Sequence, residues 1–431
     1  MIQKMLAAML AMVTVALTFS VRMNRVTAPA DDADFVPVLR FVVASDTHIK
    51  TIGDERSQRI QKILSLAYSD AQQDAAYTKL DAALFVGDLT NKGTPSQFLG
   101  FRGAVNSVLQ SETQCLAVVA KSHDGNFLGK TSLSLFKELT GQDTDFHIVL
   151  NGFHFIGLSA SKTVGNHYSE YQREWLREQL DTAVQYDPNK PVFVMHHEHV
   201  SDTVYGSFDE DGWGIDYFKD IFNEYPQIVH FSGHSHYPLN DPRSIWQGAF
   251  TAVGTGAVYY AELTVDGWSR VHPENYKTIA QCWIVEVDAQ NRVRLRGFDA
   301  LSGTLLCTYT LHDLANKDVR QYTPDVLQKA ASAPVFAQTD AILVKKGIGK
   351  STVSVPAAES TDGQIVFLYR LTVRDESGKV IDEQKLVNDY WIADSYKTVQ
   401  FTAKVKSGDT VSILAENAYG MQSEPLTAVI P

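Results

Sequence analysis

Short apolar runs rich in β-branched residues alternate with longer segments of helical periodicity over the first half of the chain. The apolar runs have the length of buried strands and lie at residues 39–44, 82–86, 116–120, 153–158, 192–195 and 228–231. Segments with apolar residues at helical spacing lie between or beside them, at residues 54–68, 95–109, 170–183 and 213–222. This alternation predicts an α/β domain in which helices cover the faces of a sheet.

The chain continues with strand patterns that no helical segment separates, at residues 249–253, 257–263, 282–287 and 292–298. These runs predict a second sheet that packs on the first. After Leu314 the pattern changes again, and we expect a linker at residues 316–334. Strand and turn signals without a convincing helical pattern fill residues 335–431, which predicts an all-β sandwich domain.

The N-terminus has the composition of a targeting segment. An apolar stretch at residues 6–21 is shorter than a typical membrane-spanning helix, and small residues at 28–30 fit a signal peptidase site. Arg22 and Arg25 follow the apolar stretch directly, so an uncleaved anchor remains the alternative. Residues 1–30 are therefore expected to be a signal peptide or N-terminal anchor, with the protein secreted or held at the extracytoplasmic cell surface.

Composition and charge exclude several classes of protein. The chain has 431 residues, 44% of them hydrophobic and 20% charged, which suits two or three globular domains. A net charge of −12 without a Lys/Arg-rich run argues against nucleic acid as a bulk partner. The three cysteines are widely spaced, so neither a disulfide framework nor a zinc–cysteine module is expected. Any metal would be held by histidine and carboxylate side chains.

Metal-ligating side chains follow the predicted strands. They are Asp46 with His48, Asp88, the pair His196 and His197, and His234 with His236. In an open α/β sheet the carboxyl ends of the strands face one crevice, so these side chains could converge on one site. Imidazole and carboxylate together suit Zn, Fe or Mn, and one carboxylate can bridge two cations. Taken singly, each motif also fits a turn, a helix cap or an exposed strand end.

The order of these motifs resembles that of the calcineurin-like metallophosphoesterase superfamily, which includes purple acid phosphatases and phosphodiesterases. Asp-x-His, Gly-Asp, a His-Asp pair, a strand-end His and Gly-His-x-His follow one another between residues 38 and 300. The resemblance implies a four-layer αββα sandwich at residues 36–315 and two metal ions, with Mn, Fe or Zn left open. Its ligand set maps onto Asp46, His48 and His236 for the first ion, Asp88 as the bridge, and His196 with His234 for the second. His197 would then support a ligand side chain without binding the metal itself, or face the substrate.

One motif departs from the family pattern. Where the family has Gly-Asn-His, this chain has Lys121, Ser122 and His123, followed by Asp124. Ser122 would be a poorer ligand than the usual Asn, so we expect a weak second metal site rather than none. By the resemblance, His123 would protonate the leaving oxygen and Asp124 would orient its imidazole. Lys121 would contact a substrate phosphate or point to solvent.

The resemblance thus implies an exported hydrolase that cleaves a small phosphomonoester or phosphodiester by attack of a metal-bound hydroxide. The change at Lys121 and Ser122 keeps a second hypothesis open, a degenerate metal-binding domain that recognises a phosphorylated ligand or surface partner without turnover. Residues 415–420 resemble the last strand and turn of fibronectin III and immunoglobulin-like modules. Such a module would contact carbohydrate or protein at the cell surface, or only stabilise the catalytic domain. The sequence makes no prediction of oligomeric state.

Overall fold

The fold is that of a computed structural model, which describes residues 34–125, 132–160, 167–360, 364–392 and 397–431. The predicted signal peptide or anchor at residues 1–30 lies outside these ranges. Within them, no helix is long and apolar enough to cross a membrane.

Two six-stranded sheets form the core of the N-terminal part of the chain. The first has the order β16 (Thr304–Leu311), β15 (Val293–Asp299), β14 (Gln281–Asp288), β1 (Pro37–Ala44), β2 (Ala82–Val86), β3 (Gln114–Val118). The second has the order β10 (Ile245–Gln247), β11 (Thr251–Gly254), β9 (Ile228–Ser232), β6 (Val192–Met195), β5 (Phe153–Gly157), β4 (Phe146–Leu150). Strands β1 to β3 are parallel, and so are β5, β6 and β9, so each set ends at one edge of its sheet.

The strands divide between the sheets differently from the sequence prediction. The runs after residue 280 were expected to build a second sheet, but β14 pairs antiparallel with β1 and extends the first. The second sheet is instead built around β5, β6 and β9. Apolar runs indicate which segments are strands, whereas the choice of neighbour depends on contacts between distant parts of the chain. The αββα layering itself is as predicted.

Helices cover the outer faces of both sheets. They are α1 (Glu55–Gln73), α2 (Pro95–Asn106), α3 (Ser132–Thr140), α4 (Glu170–Tyr186) and α5 (Lys219–Glu224). Helix α2 begins at the first residue of the segment predicted at 95–109, with Thr94 as N-cap and Pro95 in the first turn. The helix predicted from residue 213 begins only at Lys219, because the short parallel pair β7 (His199–Val200) and β8 (Gly214–Ile215) takes the preceding segment.

Aromatic rings fill the space between the two sheets. The ring centroid of Phe41, on β1, lies 5.1 Å from that of Phe155 and 4.8 Å from that of Phe193, both on the second sheet. Burial of such a ring contributes about 1.5–3 kcal/mol. Trp283 Nε1 on the first sheet donates a hydrogen bond to the carbonyl of Gly254 on the second, at 2.9 Å. These contacts fix the two sheets, and therefore their strand ends, relative to each other.

The C-terminal region is an all-β sandwich, as predicted. One antiparallel sheet contains β17 (Leu343–Lys345), β18 (Ser351–Pro356) and β21 (Thr398–Ala403), and the other contains β20 (Val380–Val387), β19 (Val366–Arg374), β22 (Thr410–Asn417) and β23 (Leu426–Val429). Val353 and Phe401 from the first sheet pack with Tyr369 and Ile413 from the second in one buried cluster. Alternating inward and outward residues along β18 and β21 produce this core.

The segment predicted as a linker contains a short helix, α6 (Pro324–Ala330), and is partly packed on the αββα core. Tyr322, which precedes α6, is buried, and its ring lies 5.1 Å from that of Tyr309. Its hydroxyl accepts a hydrogen bond from the Thr310 amide at 3.1 Å. The connection to the sandwich is therefore anchored at its start.

The sandwich also contacts the αββα domain directly. Asn240 Nδ2 donates to the carbonyl of Tyr390 at 2.7 Å, and the Tyr390 hydroxyl donates to Asp241 Oδ2 at 3.0 Å. Trp391, fully buried, packs in a mixed cluster with side chains of both domains, and its carbonyl accepts from Gln281 Nε2 at 3.2 Å. The contacted segment lies four and five residues after His236, so the sandwich is joined to a loop that carries predicted metal ligands.

Candidate metal centre

The loops after β1, β2, β6 and β9 meet at one edge of the paired sheets. They bring together two groups of ligand-type side chains: Asp46, His48, Asp88 and His236 in the first, and Asp88, His197 and His234 in the second. Within each group all the ligand atoms lie within 4.8 Å of one another. Asp88 belongs to both groups, so one carboxylate can contact ions held by either.

Short distances join the members of each group. His236 Nε2 lies 3.1 Å from Asp46 Oδ1 and 3.1 Å from His48 Nε2. In the second group, His197 Nε2 lies 3.4 Å from Asp88 Oδ2 and 3.2 Å from His234 Nδ1. A set of imidazole nitrogens and carboxylate oxygens at one point is the donor set that suits Zn, Fe or Mn. The residues present therefore fit a metal centre.

The backbone under these side chains is unusual. Positive φ angles occur at Asp46 (56°), His48 (49°), Asp88 (47°), His234 (74°) and His236 (59°). Residues other than glycine rarely adopt this region, at a cost of order 1–3 kcal/mol each, and such conformations cluster at functional sites. Backbone hydrogen bonds hold the first two loops in this shape: Asp46 N donates to Gly87 O at 3.1 Å, and His48 N to Asp88 O at 2.9 Å.

Two glycines leave room for the side chains of the centre. A Cβ atom on Gly87 would lie 2.5 Å from His197 Nδ1, and one on Gly233 would lie 2.4 Å from Asp46 Oδ2. Real Cβ atoms essentially never approach other heavy atoms this closely. Glycine at these two positions is therefore required by the packing of the ligand side chains.

Backbone carbonyls orient two of the imidazole rings. His197 Nδ1 lies 2.8 Å from the carbonyl of Val86, and His236 Nδ1 lies 3.1 Å from the carbonyl of Tyr260. A carbonyl can only accept, so in each ring Nδ1–H donates and Nε2 turns to the carboxylates. Histidine ligands of metals usually donate their other ring N–H in this way, which fixes the ring and its tautomer.

The carboxylates and imidazoles of the centre shift one another's pKa values. Burial opposes ionisation of Asp46, but His236 and His197 outweigh it and lower its pKa to about 2. Burial similarly opposes protonation of His197, yet Asp88 and Asp46 hold its pKa well above the usual value, and Asp46 raises the pKa of His236. Burial lowers the pKa of His48 to about 3. A bound cation would compete with protons for the nitrogens of His197 and His236.

The structure reverses the predicted roles of His196 and His197. His197 lies in the second ligand group, whereas His196 points to the opposite face of the second sheet, among Tyr168, Phe218 and Phe222. Neither ring nitrogen of His196 has a hydrogen-bond partner among the described residues. Successive side chains along a strand point to opposite faces, so only one of two adjacent histidines can reach the centre. The assignment of His196 as a ligand is therefore corrected to His197.

The loop after β3 also lies at the centre, with one role different from expectation. Ser122 Oγ donates to Asp88 Oδ1 at 2.6 Å, and the His123 ring lies 4.5 Å from that of His48. Asp124 does not orient His123: its carboxylate accepts from the backbone amides of Leu89, Thr90 and Ala120 and from the Thr90 hydroxyl. The His123 ring is oriented instead by a carbonyl, that of Asn91, 3.1 Å from Nδ1. No contact of Lys121 with the centre is found among the residues that the structure describes.

A buried acid behind the second ligand group was missed at the sequence level. Glu198, fully buried, accepts a hydrogen bond from the Tyr168 hydroxyl at 2.6 Å and lies 2.9 Å from His167 Nδ1. Burial opposes its ionisation, but His167 and His197 keep its pKa below the usual range. The available signal was its position directly after the two histidines, a place where an acid can orient a ligand ring.

Residues 39–238 match the family model of calcineurin-like phosphoesterases. The chain is 28% identical over 164 residues to a probable cyclic nucleotide phosphodiesterase of Rhodococcus erythropolis, covering 36% of this chain and 51% of that protein. A purple acid phosphatase from yellow lupin seeds aligns with a TM-score of 0.44 and 13% identity, over 64% of this chain and 55% of that one. GAP50, the anchor in the inner membrane complex of Plasmodium, aligns with a TM-score of 0.42 and 12% identity, over 64% of this chain and 89% of that one.

Residues 39–238 are thus similar to calcineurin-like phosphoesterases, a similarity that supports a hydrolase acting on phosphate esters. The match ends at residue 238, directly after the two histidines of the last motif. The chain spans about half the length of the curated relative and of the lupin phosphatase.

Proposed function

We propose that the protein is a metal-dependent phosphodiesterase whose two ions are held by the six side chains of the centre. The observation that carries the proposal is the pair of ligand groups that share Asp88. Asp46, His48 and His236 would hold the first ion with Asp88, and His197 and His234 would hold the second. When bound, such ions lower the pKa of a coordinated water and neutralise negative charge that develops on phosphoryl oxygens.

Ser122 distinguishes the second ligand group from the pattern of the family. Its hydroxyl is bonded to Asp88 and stands where the family has an asparagine. Asp88, His197 and His234 still make three protein ligands, which is the number that catalytic zinc sites use with one open position. The second ion is therefore expected to bind, but more weakly than the first.

His123 is the side chain best placed to move a proton. Its Nδ1–H donates to the Asn91 carbonyl, so in the doubly protonated ring Nε2–H is the group left to give a proton to a leaving oxygen, and Nε2 would then regain a proton from water. The ring stands beside His48 of the first ligand group. Asp124 serves this arrangement indirectly, because its hydrogen bonds to Leu89 N and Thr90 N hold the loop on which Asp88 stands.

Two further parts of the proposal concern the substrate and the export of the protein. The Rhodococcus relative is named as a probable cyclic nucleotide phosphodiesterase, which favours a diester over a monoester as the substrate. The apolar stretch and small residues within 1–30 favour export of the protein. Cleavage of this segment is tested by N-terminal sequencing of protein secreted from an expressing cell.

Hydrolysis of bis(4-nitrophenyl) phosphate and 4-nitrophenyl phosphate, with Mn, Zn or Fe added to chelator-treated protein, tests the function. We expect metal-dependent turnover that favours the diester and is lost in Asp88→Asn. Asp181→Asn is the matched control, because Asp181 lies on α4 and only accepts a hydrogen bond from the Tyr225 hydroxyl. Bound metal without turnover of either ester would favour the alternative, a binding domain that does not hydrolyse its ligand.

A further inference from the structure

A tryptophan and an arginine extend the centre beyond its second ligand group. The Trp213 ring lies 4.9 Å from the His234 ring, edge to face. The Arg270 guanidinium lies over the Trp213 ring, with Cζ 4.4 Å from the centroid. Arg270 is therefore one side chain removed from a candidate metal ligand, although it lies more than thirty residues further along the chain and beyond the residues that match the family model.

Arg270 stands on a hairpin formed by β12 (Leu263–Val265) and β13 (Trp268–Val271). Its φ angle is +60°, a conformation that residues other than glycine rarely adopt. Its side chain is exposed, and no described carboxylate forms an ion pair with it. Stacking on an indole leaves the N–H donors at the rim of the guanidinium free, and these are the atoms that bind carboxylate or phosphate oxygens in pairs.

The C-terminal sandwich holds this hairpin from the other side. Asp266, in the turn between β12 and β13, forms an ion pair with Arg370 of β19, with Nη2 2.9 Å from Oδ1, and a second ion pair with Lys385 of β20. Leu263 of the hairpin also packs in the buried cluster shared with Trp391. The hairpin that carries Arg270 is therefore held in place by contacts with both domains.

Electrostatics indicates what Arg270 would bind. Two cations in the centre would repel a nearby guanidinium that has no carboxylate of its own, unless an anion lies between them. Bound ions would hold the scissile phosphate, so an anion that meets Arg270 would belong to another part of the substrate. We propose that Arg270, stacked on Trp213, binds a second anionic group, carboxylate or phosphate, on the arm of the phosphodiester that extends past the second ion. This inference rests on the proposed function and names the substrate class of the same site.

A pair of synthetic diesters tests the inference. Both release 4-nitrophenolate, and their second arm is a phenyl ring that carries either a carboxylate or the uncharged, nearly isosteric carboxamide. The readout is the ratio of kcat/KM for the carboxylate ester to kcat/KM for the carboxamide ester. We expect a ratio well above one in the metal-loaded protein, a fall of about tenfold in Arg270→Gln, and a smaller fall in Arg270→Lys, which keeps the charge but not the planar fork.

A control variant accompanies the test, and failure of this inference can be distinguished from failure of the proposed function. Arg177→Gln removes an exposed ion pair with Glu224 on α4 and α5 and should leave the ratio unchanged. Turnover of both esters with a ratio near one, or an equal loss on both in Arg270→Gln, would overturn this inference but not the proposed function. Absence of turnover of both esters in the metal-loaded protein would overturn the proposed function and the inference with it.

Discussion

Leucine substitutions at the two adjacent histidines after β6 should have opposite effects. His197 is buried between two carboxylates, with Nε2 3.8 Å from Asp46 Oδ1 and 3.4 Å from Asp88 Oδ2. His196 is buried among aromatic rings, and its two nitrogens lack hydrogen-bond partners among the described residues. We expect His197→Leu to lose metal and stability, and His196→Leu to keep metal and gain stability.

The magnitudes follow from these environments. A buried polar group without a hydrogen bond costs about 1–3 kcal/mol, and a volume-conserving replacement costs less than about 1.5 kcal/mol, so His196→Leu should raise the free energy of unfolding by about 1 kcal/mol. His197→Leu leaves two buried carboxylates without the imidazolium between them, and breaking such a pair lowers the free energy of unfolding by about 3–5 kcal/mol. The two variants change adjacent residues by the same substitution.

The assay has two readouts. Unfolding midpoints of chelator-treated variants measure stability, and a gain of about 1 kcal/mol corresponds to about 2 °C for a domain of this size. Metal bound per chain, measured after dialysis against Zn or Mn, tests the ligand assignment. Loss of an ion in His196→Leu with full metal content in His197→Leu would refute the corrected assignment.

The remaining predictions concern packing, protons and the loop after β3. Gly233→Ala should lower metal affinity at least tenfold, measured by competition with a chromogenic chelator, because its Cβ would overlap Asp46 Oδ2; unchanged affinity would contradict the packing. Metal binding should release protons, because the neighbouring carboxylates raise the pKa values of His197 and His236 and a histidine must lose its proton to bind a cation. Affinity should therefore fall as the pH falls, and titration calorimetry in two buffers of different ionisation enthalpy measures the protons; none released would contradict the raised pKa values. His123→Asn should lower kcat about 10²–10⁴-fold and leave metal content unchanged; a loss of metal instead would make it a ligand. The double variant Lys121→Gly with Ser122→Asn should bind the second ion more tightly, and equal affinity would contradict the alignment of this loop with the family motif.

Local sequence was sufficient to predict the strands that carry the site. The runs at residues 82–86 and 192–195 are strands with those same bounds, and Asp88 and His197, which follow them, do converge. What the local pattern could not give was the partner of each strand. The pairing of β14 with β1 joins segments more than two hundred residues apart, which local patterns of apolar residues do not specify.

The errors at the site have the same origin. Whether His196 or His197 reaches the centre depends on the residue at which β6 ends and on the face to which the next side chain points. A shift of one residue in the predicted end of the strand exchanges the two histidines. Asp124 was predicted to orient its neighbour His123. Its carboxylate instead accepts hydrogen bonds from amides of the loop that carries Asp88, and this contact between distant segments is not visible in the local sequence. Arg270 was not recognised, because nothing in the linear sequence shows that its hairpin folds back over Trp213.

The most direct test of the shared centre is a crystal structure of the metal-loaded protein with anomalous scattering data at the absorption edge of the bound metal. We expect two anomalous peaks, one among Asp46, His48 and His236 and the other between His197 and His234, with Asp88 in contact with both. The second peak should have lower occupancy at limiting metal, because Ser122 stands where the family has an asparagine. A single peak at saturating metal, or a peak bound by His196, would contradict this expectation.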